Sequence, residues 1–194
     1  MSACHQTDGG YLGADFEAFF SAVVSGAAGI YVGMLVEDAG ISTDLVVRPG
    51  QDVSVSGDRS LAQPPLWGSG GFTVQQRGAL SLSFVALGAS AAVTALAVTG
   101  GGSLSLSSMA VHAEIMVDLL LNHLDGAGSS VRLTGVTVPE YPALGPGTGI
   151  LTAGEGDSFP TFDPPELAQW FGLPAVRAVL SLPQPTDGSL SQLN

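Results

Sequence analysis

The segment VHAEIMVDLLLNHLDG, beginning at Val111, brings together His112, Glu114, Asp118, His123 and Asp125. Imidazole and carboxylate side chains are the common donors for a bound divalent metal, and as a pair they can also pass a proton. His112 and Glu114 stand two apart, a spacing that puts both on one face of a strand. They are the candidate metal pair. A plainer reading competes: if the alternation that ends at Val111 continues, both residues point outward to water or sit in a loop. On that reading no metal and no cofactor is expected.

Other patterns able to support catalysis are incomplete. The GSGG run at Gly68 lacks the G-x-S-x-G arrangement that exposes a serine nucleophile. The GPGTG run at Gly145 has no strand before it and no helix after it, so it reads as a loop rather than a phosphate cradle. Cys4 is the one cysteine, which removes any internal disulfide, and it has no base placed beside it. Lysine is absent from the sequence, which rules out Schiff-base chemistry and a P-loop lysine within this chain.

Charge narrows the partners. The chain has 17 acidic residues against 5 arginines and a formal net charge of −12. Binding to nucleic acid needs clustered Lys and Arg to displace counterions, and that footprint is missing. The run from Phe84 to Val98 is apolar but shorter than the roughly 20 residues that cross a bilayer. The opening MSACHQTDGG has neither a basic nor an apolar leader region, so no signal peptide is expected.

The elements that would position these residues follow from hydrophobic period. Phe16, Phe19, Phe20, Val23 and Val24 recur at helical spacing after Asp15, a possible cap, and the run ends in SGAAG. Beyond it the period becomes two. GIYVGML offers Ile30 and Val32 on one face, and DLVVRPGQDVSVSGD offers Leu45 and Val47, then Val53 and Val55 after a Pro-Gly turn.

Internal repeats set the architecture. VSVSGDRS, LSLSFVAL, LSLSSMAV and VRLTGVTV start at 53, 80, 104 and 131, spaced 27, 24 and 27 residues apart. In the last three, apolar residues fall at the first, third, sixth and eighth places, as Leu104, Leu106, Met109 and Val111 illustrate. The change of phase after the third place requires a corner between two core-facing walls. Ahead of these units lie further short strands, each followed by a glycine: Leu45, Val47 and Gly50; Phe72, Val74 and Gly78; Leu96, Val98 and Gly102. Each unit reads strand, glycine turn, strand, corner, strand, and must stack on its neighbours to bury its apolar face. In the stack Ser54, Ser81 and Ser105 form one outward column, and Ser56, Ser83, Ser107 and Thr134 the next.

Over Asp15 to Val138, the strings SGAAGIYVGML, DLVVRPGQDVSVSG, GFTVQQRGALSLSFVAL and LAVTGGGSLSLSSMAV resemble a right-handed parallel β-helix of the pectin-lyase-like type. The resemblance implies an all-β solenoid with a short N-terminal capping helix. It divides the chain into a flexible start (1–14), the β-helix with its helix (15–138), and an irregular Pro-rich C-terminal cap or docking arm (139–194) that has room for a short helix at Pro165–Phe171. For activity the resemblance implies either a polysaccharide lyase, with acidic calcium ligands and a basic proton acceptor, or a hydrolase with paired aspartates. Here the arginines are scattered and no Asp-Asp, Asn-Thr-Asp or Gly-His-Gly occurs, so no catalytic residue carries over.

The functional expectation is a non-catalytic acidic solenoid that serves as a structural or interaction subunit and docks onto a protein partner or larger complex. Trp67, Trp170 and Phe171 are its candidate interaction residues, being large apolar groups outside the repeat pattern. Two alternatives stand beside it: a carbohydrate-binding or polysaccharide-active β-helix, and an ice- or surface-binding solenoid that uses the serine columns.

Overall fold

The computed structural model describes residues 3–6, 13–35, 39–40, 42, 44–59, 65–67, 70–88, 96–122, 124–125, 128–142, 145–153 and 161–165. Three sheets form the walls of a β-solenoid, and one buried cluster fills the space between them.

The large wall has eight strands in the order β1 (Ala3–Gln6), β2 (Gly29–Leu35), β5 (Gln51–Gly57), β8 (Ala79–Ser83), β11 (Ser103–Ser107), β14 (Ser130–Val136), β15 (Gly147–Thr152) and β16 (Thr161–Asp163). The second holds β4 (Leu45–Val47), β7 (Phe72–Val74), β10 (Leu96–Thr99) and β13 (Leu124–Asp125). The third holds β3 (Ala39–Gly40), β6 (Pro65–Trp67), β9 (Ala86–Leu87) and β12 (Ala110–Val111). Pairing is parallel from β1 through β14, as crossovers through the other walls demand.

Repeat alignment and strand register coincide. Val53 pairs with Leu80, Leu80 with Leu104, and Leu104 with Val131. On the second wall Leu45, Phe72 and Leu96 stand in line, as do Val47, Val74 and Val98. All ten are buried, because every second residue of a wall faces the core.

The corner expected after the third repeat position is a single left-handed residue. Phe84, Ser108 and Gly135 occupy it in successive units with φ of 55°, 49° and 61°. Their stacking shows in the Phe84 N–H donating to Ser107 O and the Ser108 N–H to Thr134 O. The other turn also repeats: the N–H groups of Gln51, Gly78 and Gly102 close back on Arg48, Gln75 and Thr99, and its third residue is left-handed at Gly50, Arg77 and Gly101.

Helix α1 (Gly13–Ser25) lies across the start of the stack. Phe19, Phe20 and Val23 are buried, and the Phe20 ring meets Phe72 edge-on at 5.5 Å. Two departures from the sequence expectation stand out. After Val111 the alternation stops and helix α2 (Ala113–Asn122) begins, its Ile115, Met116 and Leu119 joining the core. Part of the C-terminal segment is regular as well: β15, which contains most of GPGTG, pairs antiparallel with β14, and β16 pairs antiparallel with β15. Antiparallel pairing needs only a short reversal, so the stack can be extended there without another coil.

Candidate interaction face

The outward side of the large wall presents three rows of side chains. Row one runs Ile30, Asp52, Ala79, Ser103, Ser130 and Thr152; row two runs Val32, Ser54, Ser81, Ser105, Arg132 and Ile150; row three runs Met34, Ser56, Ser83, Ser107, Thr134 and Thr148. The serine columns read from the repeats are therefore in register, one rung apart.

The strand at the head of these rows differs from the rest. Ile30, Val32 and Met34 point outward and are 48%, 40% and 44% exposed. Ile30 and Val32 do share a face, but it is the outer one, and the core takes Tyr31 and Leu35 instead. Helix α1 explains the choice. An added Cβ at Gly33 would lie 3.2 Å from the Phe19 ring, so the inward side of β2 accepts glycine where the helix presses closest. Tyr31 fits inward because its hydroxyl donates to Ala27 O at 2.8 Å, satisfying its one polar atom. Reversing β2 would bring Ile30, Val32 and Met34 against that helix while exposing Tyr31 and Leu35.

Across β2 to β16 this face carries three charged outward residues, all exposed: Asp52, Arg132 and, beside Ile150 at the sheet edge, Asp163. Their charges sum to −1, whereas the chain as a whole carries −12. The acidic character thus lies elsewhere on the molecule.

The chemistry-bearing segment is arranged differently from its sequence reading. His112 closes the third wall, and Glu114 sits in the first turn of α2. The carboxylate that meets the imidazole belongs to Glu140: His112 Nε2 lies 2.7 Å from Glu140 Oε1, and Glu140 Oε2 accepts from the Ala113 N–H at 3.3 Å. His112 Nδ1 faces the Glu114 N–H at 3.4 Å. Both ring nitrogens thus have protein partners, and Glu140 holds the first turn of α2. A carboxylate at a helix N-terminus is favourable for the exposed N–H groups there. The sequence carried a faint sign of Glu140, since Val111 and Val138 align in the repeat and Glu140 follows two residues later. Among the described residues no three His, Cys, Asp or Glu side chains gather as a metal site. Asp118 and Asp125 lie in α2 and β13, and His123 is outside the described residues.

Of the proposed interaction residues, Trp67 ends strand β6 and its backbone pairs with Gly40, so it belongs to the solenoid wall rather than to an irregular segment. Trp170 and Phe171 lie outside the described residues, as does most of the Pro165–Phe171 helix. Among the described residues no helix is long and apolar enough to cross a membrane. No protein-family model, curated protein or solved structure matches the chain.

Proposed function

We propose that this chain is a non-catalytic structural or interaction subunit: a rigid, acidic solenoid that docks through the outer face of its large sheet. The observation that carries the reading is the strip of Ile30, Val32 and Met34 on a face lined mainly by serine and threonine hydroxyls. Three adjacent large apolar side chains at this exposure lose hydration free energy until something covers them, at about 25 cal/mol per Å² of apolar surface. A solenoid wall suits the task because neighbouring coils hold every outward residue in a fixed register. The coil plan, with three strands per unit and a helix over the first units, favours the right-handed, pectin-lyase-like class of parallel β-helix.

Light scattering on the full-length chain, alone and in fractions of its native extract, tests the reading. Association by the wild type that Val32→Glu abolishes supports it. A wild-type chain that runs as a single copy in both settings overturns it. If Trp170→Ala and Phe171→Ala release the partner while Val32→Glu does not, the docking element is the C-terminal segment.

A second reading draws on the column Ser54–Ser81–Ser105, whose hydroxyls repeat at the rung spacing of about 4.8 Å. Such a face suits a regular surface, either a polysaccharide or ice. Screening against neutral and acidic polysaccharides with and without calcium, together with a thermal-hysteresis assay, examines it; no retention and no hysteresis removes it.

A further inference from the structure

We infer that the occupant of the apolar strip is a second copy of this chain, packed face to face about a two-fold axis that runs along the strands, above the boundary between β8 and β11. The inference rests on the docking reading given above and names its partner.

Charge is the first argument. Two copies of a −12 chain repel, and the repulsion is least where each presents no net charge. The outer face comes close to such a surface: Asp163 stands at its β16 edge, and between β2 and β15 the two charged residues are Asp52 and Arg132. Among the described residues neither makes an ion pair with another side chain.

Symmetry is the second. In the sheet order β2-β5-β8-β11-β14-β15, a two-fold axis over the β8–β11 boundary sets β2 against the partner's β15, β5 against its β14, and β8 against its β11. Ile30, Val32 and Met34 then meet the column of Thr152, Ile150 and Thr148, which supplies an isoleucine opposite Val32 and a threonine methyl opposite each of the others. Asp52 meets the strand that carries Arg132 one row away, about 7 Å along the strand, within reach of an arginine side chain across sheets about 10 Å apart. The two-fold makes that pair twice. The serines of β8 and β11 face each other between the two apolar strips, where small side chains permit close approach.

Sedimentation velocity on the purified full-length chain, from about 5 to 200 μM, decides the matter. The wild type is expected to double in mass with concentration, and Val32→Glu to remain a single copy with unchanged far-ultraviolet circular dichroism. Met34→Glu serves if that variant fails to fold. Asp52→Arg and Arg132→Asp are each expected to weaken the dimer by about tenfold, and the double exchange to restore it to within about threefold of wild type. A wild type that stays single across the range overturns the second-copy occupant; if Val32→Glu then releases a different protein partner, the docking reading survives. A dimer that forms but is not restored by the double exchange overturns this arrangement of the two faces. A dimer indifferent to Val32→Glu overturns both the inference and the docking face.

Discussion

Gln51 reaches from the first turn of the stack into the end of α1, where its buried Nε2 donates to Val23 O at 2.7 Å. Its Oε1 accepts from the Arg48 N–H at 2.8 Å, and Nε2 also lies 3.2 Å from Gly26 O. One amide thus satisfies a carbonyl at the helix C-terminus and a turn N–H together, and fixes the helix to the coil beneath it.

Gln51→Ala is therefore expected to cost about 1–2 kcal/mol in urea denaturation, because the part-buried Arg48 N–H loses its acceptor and Val23 O keeps only the Gly26 N–H at 3.2 Å. Gln51→Glu keeps the acceptor for Arg48 but has no donor for Val23. A loss no larger than that of an exposed glutamine would show that the amide does not hold the helix.

Close packing between coils makes a second prediction. A Cβ added at Gly102 would sit 2.9 Å from both Val74 O and Gln75 O, and backbone atoms of a paired strand cannot swing aside. Gly102→Ala should destabilise the protein by about 2–3 kcal/mol, seen as a lower denaturation midpoint.

Arg77 offers the opposite sign. It occupies the turn position held by Gly50 and Gly101 in neighbouring units, with φ of 59°, and its side chain is exposed. A left-handed non-glycine residue costs about 1–2 kcal/mol, part of which glycine returns as unfolded-state entropy. Arg77→Gly is expected to raise stability by about 0.5–1 kcal/mol, and a melting temperature below wild type would contradict this.

The His112–Glu140 pair supports a fourth prediction. The two side chains are 34% and 33% exposed, so solvent screening keeps the interaction small. Glu140→Ala should cost about 1 kcal/mol, with fraying of the first turn of α2 in hydrogen exchange. Glu140→Gln retains an acceptor and should cost less than half as much; equal losses would show that an acceptor at Glu140 does not steady the helix.

How much of this was legible before folding depends on whether a residue's environment is set by its neighbours in sequence or by a distant element. The period of two, broken after the third repeat position, determined the walls, the corner and the alignment of Leu80 with Leu104, since alternation and a fixed coil length are local properties that stacking only repeats. The helical spacing around Phe19 and Phe20 likewise determined α1.

The tertiary structure alone decided which side of β2 faces in. GIYVGML has apolar residues on both faces, so no pattern distinguishes them; the Phe19 ring beside Gly33 does, since even an added Cβ there would lie a tight 3.2 Å from it. The same is true of Glu140, which approaches His112 only because the chain makes another circuit between them. The candidate interaction strip exists for that reason: its residues are ordinary core formers in sequence, and packing of the preceding helix back onto the strand turned them outward.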